Sequence, residues 1–573
     1  MINLTIDGCK VSVPEGTTIL EAARKANIDI PTLCYFEDQV AKANCRICVV
    51  EVNGGAALQP ACATQVAEGM VVNTATPRVI KSRRAVLELI FARHPQDCLT
   101  CRKNDLCELR KVAEKLSSHH NSYFRYDVHH GEIDASSPSI VRDPTKCILC
   151  GRCISVCSDV QAVHAITKNN RGYTTEVALP YGRKLADTPC VNCGQCYQVC
   201  PTGAITINDN IHKVYDAKEA GRDLVIQVAP SVRVNIAECL GEEPGVISTG
   251  RLVTALHRVG FDKVLDADFS ADLTIMEEGT ELLHRLQNGG TLPMMTSCCP
   301  AWVKFCETFY PDQLAHLSTA KSPQQMFGPL IKTWCAEKMG LDPANIYSVS
   351  AMPCTAKKFE CLRSEMDASG YRDVDTSLTV QEIAHMIRTA GIDFSKLEET
   401  EFDSPTGTGS GAGVIFGATG GVMEAALRTC YELVTGETLP RLELTEVRGS
   451  EGLKEAEIDM AGTKVRVAIV HGLANARRMM ERVRAGEADY HFIEVMACPG
   501  GCVGGGGNAP RTWAKVKQRL AAIYEADRQL PIRKSHENPA IQQVYKEFLG
   551  EPCGEMSHKL LHTHYFDRSD LVR

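Results

Sequence analysis

Four cysteines stand at the ends of runs that read as separate buried strands: Cys299 in Thr296-Ser297-Cys298-Cys299-Pro300, Cys354 in Met352-Pro353-Cys354-Thr355-Ala356-Lys357-Lys358, and Cys498 and Cys502 in Met496-Ala497-Cys498-Pro499-Gly500-Gly501-Cys502. Thiolates gathered from three distant segments suit an iron-sulfur site. The adjacent Cys298 suggests that this site is reactive and not only a conductor. Successive side chains on an extended segment face opposite ways, so Cys298 and Cys299 do not easily face one cluster together. A thiol of ordinary pKa, about 8.5, exchanges protons near neutrality, which makes Cys298 a candidate acid-base group.

Three further groups read as electron carriers. Cys34, Cys45, Cys48 and Cys62 have the form Cys-x10-Cys-x2-Cys-x13-Cys and suit a 2Fe-2S cluster, although the spacing departs from the plant-type pattern. Structural zinc is the competing reading, but all-cysteine zinc sites usually show two close Cys pairs. His94, Cys98, Cys101 and Cys107 follow as His-x3-Cys-x2-Cys-x5-Cys. A lone histidine is commonly a packed or surface residue, yet three thiols need a fourth ligand, and imidazole in place of thiolate makes a cluster easier to reduce. Finally, Cys147, Cys150, Cys153 and Cys157, then Cys190, Cys193, Cys196 and Cys200 before Pro201, repeat the run of a bacterial two-cluster ferredoxin. In that arrangement the fourth cysteine of each run crosses over. One 4Fe-4S site then takes Cys147, Cys150, Cys153 and Cys200, and the other takes Cys190, Cys193, Cys196 and Cys157. Ser158 replaces the usual trailing proline of the first run without touching a ligand.

The elements that must position these residues are legible in outline. Alternation in Ile2–Ile6 and Cys9–Val13 around Asp7-Gly8 predicts a hairpin, and Thr18 with Glu21 predicts a capping box opening a helix before Pro31. The pattern from about 76 to 116 is helical, and the polar stretch from Ser117 to Ser139 reads as a linker. Beyond about residue 210, Leu224–Val228, Thr291–Met295, Ile346–Ala351, Val465–Val470 and Phe492–Met496 read as buried strands between helices, which predicts mostly parallel α/β sheets. A chain of 573 residues holds several domains. Those expected are a 2Fe-2S ferredoxin-like domain at 1–77, a 4Fe-4S domain with one His and three Cys ligands at 78–124, a two-4Fe-4S ferredoxin domain at 125–209 and a catalytic domain at 210–573.

A formal net charge of −8 without a basic run argues against nucleic acid as a partner. The start of the chain lacks a basic and apolar leader, and no apolar stretch reaches membrane-spanning length, so a cytoplasmic location is expected. With 27 cysteines grouped at metal-ligand spacings, ligation in a reducing compartment is favoured over disulfides. Gly407-Thr408-Gly409-Ser410-Gly411-Ala412 lacks the strand that a dinucleotide loop needs, and Gly504–Gly507 is no Walker motif; those glycines are expected to admit close backbone approach. Electrons must therefore be exchanged with another protein. The histidine pairs at 119/120 and 129/130 and His562 with His564 read as solvated, and Cys9, Cys239, Cys306, Cys335, Cys361, Cys430 and Cys553 as buried small hydrophobes.

The Cys299, Cys354 and Cys498/Cys502 segments resemble the three signature segments of the iron-only (di-iron, FeFe) hydrogenases, in order and across essentially the whole chain. Ala301 stands where that family often has glycine. The resemblance implies a multidomain α/β and α+β architecture: a β-grasp 2Fe-2S domain, two 4Fe-4S domains and a large α/β hydrogenase domain. It also implies an H-cluster: a 4Fe-4S cube on Cys299, Cys354, Cys498 and Cys502, with Cys502 bridging to a di-iron unit that carries carbon monoxide, cyanide and a dithiolate. By residue matching, Lys357, Pro230 and Ser231 face cyanide ligands, and Met352, Met496, Pro323, Gln324 and Phe416 line the pocket. Cys298 then passes protons through Glu278, Ser318 and Glu281 to Arg285 at the outer end. Without the resemblance, Met276–Glu281 reads as a solvated acidic helix start.

The activity so implied is reversible, anaerobic oxidation of hydrogen. Electrons would pass through one 2Fe-2S and three accessory 4Fe-4S clusters to ferredoxin, or to flavin-containing NAD(P)-binding and 2Fe-2S subunits of an electron-bifurcating complex, with maturation proteins installing the di-iron unit. The alternatives are a stand-alone ferredoxin-linked hydrogenase and a non-catalytic iron-sulfur redox or sensory subunit. Retention of Cys298, Cys502 and Lys357 argues against the last.

Overall fold

Asp7 and Gly8 both adopt positive φ, 44° and 84°, as a tight turn requires, and join β1 (Ile2–Ile6) to β2 (Cys9–Val13) in an antiparallel pair. The computed structural model describes residues 1–117, 131–405, 407–460 and 462–572. β3 (Val49–Val52), β4 (Gln59–Pro60) and β5 (Val71–Asn73) complete a mixed sheet in the order β2-β1-β5-β3-β4. The helix Ile19–Lys25 buries Ile19, Leu20, Ala22 and Ala23, and Thr18 and Glu21 form the expected capping box. This is the β-grasp arrangement anticipated for the N-terminus.

The helical stretch that follows resolves into Pro77–Phe91 and Glu108–Lys115, separated by the His94–Cys107 loop. The linker expected at Ser117–Ser139 lies mostly outside the described residues, as do the histidines at 119/120 and 129/130. Its described end is tied down: Ser137 and Ser139 are buried, and Ser139 Oγ donates to the Thr355 carbonyl at 2.7 Å. β6 (Ile140–Arg142) pairs antiparallel with the strand Ile205–Ile207, and between them β7 (Thr167–Asn169) pairs with β8 (Glu176–Ala178); Ile205–Ile207 is then β9. These short pairs flank the two Cys-rich loops.

The remainder builds two four-stranded sheets. In the first, β10 (Asp223–Val228), β11 (Lys263–Asp266), β13 (Ile346–Met352) and β14 (Thr376–Thr379) run parallel in the order β11-β10-β13-β14, where β12 is Met294–Met295. In the second, β12, β17 (Phe492–Met496) and β16 (Thr463–His471) are parallel, and β15 (Leu453–Met460) is added antiparallel at the edge. The strand expected over Thr291–Met295 shrinks to two residues, since Pro293 has no N–H for the ladder. Ile226, Val228, Val349 and Ala351 of one sheet and Ile469, Ile493 and Val495 of the other are fully buried among covering helices, as central parallel strands require.

Candidate active site

Parallel strands deliver their following residues to one edge, and the Cys298/Cys299, Cys354 and Cys498/Cys502 segments lie at such edges. Pro230 and Ser231 follow β10, Cys298 and Cys299 follow β12, Cys354 follows β13, and Cys498 and Cys502 follow β17. Together they line a cavity of about 80 Å³, shared with Pro323, Gln324, Met352, Lys357, Phe416 and Met496. All of the pocket residues anticipated from the sequence meet there. Cys299 caps the helix Pro300–Phe309, and Pro323 and Gln324 begin the helix Pro323–Ile331, so backbone N–H groups and thiols share the wall.

The cavity suits a metal cluster bearing polar ligands. Its wall is thiol and apolar surface, with two donors: the Lys357 ammonium and the Ser231 hydroxyl, which is buried and has no hydrogen-bond partner among the described residues. Lys357 Nζ contacts Glu360 Oε2 at 2.8 Å and the Cys298 carbonyl at 3.3 Å. Burial opposes its charge, but the Glu360 carboxylate and the Cys354 and Cys298 thiols hold the ammonium above the ordinary lysine range. Gln324, in contrast, spends its amide on Glu360, Cys361 and Ser350. It faces the cavity as a fixed wall.

A polar route leads away from Cys298. The helix Asp268–Asn288 carries Glu278, Glu281 and Arg285 on one face, at spacings of three and four. Glu278 lies in the middle of that helix and is buried, contrary to the solvated-helix reading. Its carboxyl oxygens make no hydrogen bond among the described residues, and it faces Cys298, the Ser297 backbone and the Ser318 hydroxyl. Burial, with the nearby Glu281 charge, pushes its pKa up to about 8. The Cys298 thiol is raised as well, by burial first and Glu278 second, so it is a proton carrier in its neutral form. Arg285 sits near the surface, its guanidinium bonded to Glu281 and to the carbonyls of Thr291, Ala315 and Leu317.

The relay serine is held from outside by residues that sequence reasoning missed. The bridge Ala320–His562, the bond from Thr563 N–H to the Thr319 carbonyl, and the Tyr565 hydroxyl on the Ser318 carbonyl fasten the C-terminal segment along residues 318–320. His562, expected in a solvated tail, is buried between Thr319 Oγ1 at 2.8 Å and Glu277 Oε2 at 3.0 Å. Glu277 also accepts from Tyr545 and the Cys553 N–H. Such long-range pairing leaves no local pattern to read. Of the unassigned cysteines, Cys306, Cys335, Cys361 and Cys430 are buried, Cys239 and Cys553 are half-buried, and Cys9 is exposed.

The remaining cysteines also converge. Cys147, Cys150, Cys153 and Cys200 line one small cavity, and Cys157, Cys190, Cys193 and Cys196 another, with the crossover that the spacing suggested. Hydrogen bonds pair Cys34 with Cys45 and Cys48 with Cys62; the acceptor thiols are lowered, Cys34 to about 6 and Cys48 to about 7, by the partner thiol of each pair. Cys107 is buried and faces Cys101 and Cys98, while Cys98 is exposed and His94 half-buried in the same loop. The cysteine sets fit clusters by donor chemistry: groups of soft thiol ligands, none in a disulfide.

The ferredoxin-like loops dock directly on the large cavity. Gly194 has φ 69°, and a Cβ there would meet Thr355 Oγ1 at 2.4 Å and Gly506 Cα at 3.2 Å. Gly506 in turn packs on the Cys193 carbonyl. The Gly504–Gly507 run thus serves backbone-to-backbone contact, and Cys193 faces Cys498 across it. Gly409 and Gly413 likewise pack against Asp268, which accounts for the other glycine-rich stretch without a nucleotide.

Family models match along the chain: a 2Fe-2S iron-sulfur cluster binding domain at 1–77, the NADH-ubiquinone oxidoreductase-G iron-sulfur binding region at 83–122, and a 4Fe-4S dicluster domain at 146–204. The iron only hydrogenase large subunit, C-terminal domain, matches 222–506, and the iron hydrogenase small subunit matches 514–568. The chain is 48% identical over 586 aligned residues to the NADP-reducing hydrogenase subunit HndD of Solidesulfovibrio fructosivorans, covering 100% of both. It is 42% identical to Iron hydrogenase 1 of Clostridium pasteurianum, covering 99% of this chain and 100% of that one. A solved variant of the FeFe-hydrogenase HydA1 from Chlamydomonas reinhardtii aligns with TM-score 0.56 and 44% identity, covering 62% of this chain and 99% of that chain.

Proposed function

The chain belongs to the iron-only hydrogenase family and is an FeFe-hydrogenase with 2Fe-2S, 4Fe-4S and H-cluster domains, and from that premise we propose that it is the hydrogen-converting subunit of a cytoplasmic NADP-linked, electron-bifurcating complex. The observation that carries the catalytic reading is the single cavity shared by Cys298, Cys299, Cys354, Cys498, Cys502 and Lys357. The complex-forming reading rests on full-length similarity to HndD. Among the described residues, no helix is long and apolar enough to cross a membrane.

In this reading Cys299, Cys354, Cys498 and Cys502 hold the H-cluster, which when bound supplies heterolytic splitting and formation of hydrogen. The chain's own work is positioning and proton traffic. Lys357 and Ser231 present donors to the ligands of the metal, and the apolar wall from Met352, Met496 and Phe416 excludes water. Cys298 exchanges a proton with Glu278, whose raised pKa suits both uptake and release. Ser318, which faces Glu278 and donates to Glu281, continues the route, and Arg285 orients Glu281 toward the surface. On the other side of the site, Cys193 faces Cys498. Cys157, Cys190, Cys193 and Cys196, then Cys147, Cys150, Cys153 and Cys200, would hold 4Fe-4S clusters that supply one-electron transfer, as would the His94, Cys98, Cys101 and Cys107 set and the Cys34, Cys45, Cys48 and Cys62 set for a 2Fe-2S cluster.

A second reading is a stand-alone ferredoxin-linked enzyme; Iron hydrogenase 1, matched over its full length, carries no subunit designation in its name. Anaerobic purification with maturation, followed by hydrogen uptake with an artificial acceptor and with NADP plus ferredoxin, separates them. Dye-linked uptake by the chain alone is expected. NADP reduction that appears only with co-purifying flavoprotein subunits supports the complex, and ferredoxin reduction with no such subunits supports the stand-alone enzyme. A matured chain inactive with dye would overturn both.

A further inference from the structure

Lys103 is a lysine buried in the joint between two cysteine groups, 2% exposed. Its ammonium lies 3.7 Å above the Tyr197 ring and 3.4 Å from the Tyr197 carbonyl. Neither partner carries a formal negative charge, and a buried cation without one is costly. Burial works against its charge, and the groups that face it and favour the charge are Cys200 of the ferredoxin-like domain, the Glu108 carboxylate, and Cys107 and Cys101 of its own loop. The joint is tight, since a Cβ on Gly203 would lie 2.7 Å from Cys101 Sγ and 3.7 Å from Lys103 Cβ. Two neighbouring cations already have carboxylates. Arg152, also facing Cys150 and Cys200, pairs with Glu108 at 2.8 Å, and Lys146 pairs with Asp97 at 2.9 Å.

We propose that Lys103 is the charge that sets the reduction potentials at this junction, acting on the cluster of His94, Cys98, Cys101 and Cys107 and on that of Cys147, Cys150, Cys153 and Cys200. The proposal rests on the ligand reading given above. Adding an electron makes a cluster more negative, and a fixed ammonium in a low-dielectric joint stabilises that reduced form, so both potentials rise. The step would be a one-electron exchange in which one cluster is oxidised as the other is reduced, with no proton transferred. The second cluster is also where the path from Cys34 arrives, through Lys42, whose Nζ is bonded to neutral Gln39 and which faces Cys34 and Cys150.

The experiment is a redox titration, followed by electron paramagnetic resonance, on full-length, cluster-loaded protein. Lys103→Met removes the charge and matches the chain length without needing a polar partner; Lys103→Arg keeps the charge. In Lys103→Met the midpoints of these two clusters should move to more negative potential while iron content and the 2Fe-2S midpoint stay at wild-type values, and Lys103→Arg should remain near wild type. Unshifted midpoints in fully loaded Lys103→Met overturn the proposal alone. Wild-type protein without signals from these two clusters overturns the ligand reading and the proposal with it.

Discussion

Ser318 Oγ donates to Glu281 Oε2 at 2.7 Å while Arg285 Nη2 holds Glu281 Oε1 at 2.6 Å. One carboxylate thus has an inward oxygen on the relay and an outward oxygen on a cation near the surface. Glu281→Gln preserves the shape and removes the exchangeable carboxyl. Hydrogen evolution by the matured variant should fall by about 10²-fold or more, the usual contribution of a positioned acid-base group, with iron content and the infrared carbonyl and cyanide bands unchanged. Turnover near the wild-type rate would remove Glu281 from the proton route.

Glu278 gives a pH signature in stability. Its folded pKa is about 8 against an ordinary 4.5, chiefly through burial. Between those values the unfolded chain has lost the proton and the folded chain keeps it, so the folded state binds more protons and its stability falls as pH rises. The loss begins near 4.5, grows to about 8 and then levels off. Glu278→Gln does not titrate. Its melting temperature relative to wild type, compared at equal cluster loading, should therefore rise steadily from pH 6 to pH 8. A difference that stays flat over that range contradicts a neutral, buried Glu278.

Cys298 is separated from the ligand set by function. Cys298→Ser keeps a hydroxyl in the cavity but raises the proton affinity of the group far above that of a thiol. Turnover should collapse while bound iron persists. Loss of iron in step with activity would instead make Cys298 a ligand, and unchanged rates would end its proton role.

Much of this arrangement was legible because the chemistry is local in sequence. Cys147 to Cys157 and Cys190 to Cys200 are spaced for a cluster loop, and the Asp7-Gly8 turn and the Thr18–Glu21 cap declare themselves within four residues. What escaped notice is long-range or short. His562 reaches Glu277 across 285 positions, and Lys103 meets Tyr197 across 94, so no periodicity marks either contact. β11 and β14 have four residues each, too few for a pattern, and become strands only through pairing with β10 and β13. The bland reading of Glu278 failed for a related reason: carboxylates are usually exposed, and only the packing of the Asp268–Asn288 helix buries this one.

The crossed cysteines can be tested one cluster at a time. Cys200 lines the cavity of Cys147, Cys150 and Cys153, although it belongs to the other run. Cys200→Ser should weaken or lose the signal of that cluster and leave the one associated with Cys157, Cys190, Cys193 and Cys196 intact. Loss of the second signal with retention of the first would reverse the pairing.

Gly506 tests the contact that joins conduction to catalysis. A Cβ there would lie 2.3 Å from the Cys193 carbonyl oxygen and 2.8 Å from Gly194 Cα, both backbone atoms that cannot swing aside. Relief requires the Cys193 loop to move away from the Cys498–Cys502 segment, at a cost of about 1–3 kcal/mol for overpacking. Separation also lengthens the path between Cys193 and Cys498. Gly506→Ala should lower the melting temperature and slow dye-linked hydrogen uptake even when iron content matches wild type. Gly504→Ala makes the useful contrast, because its Cβ would meet the Pro499 carbonyl at 2.1 Å, a clash inside the catalytic segment and not across the joint. If both variants lose stability but only Gly506→Ala delays reduction of the Cys193 cluster by hydrogen in stopped-flow spectra, electrons cross at Gly506; equal delays would place the crossing elsewhere.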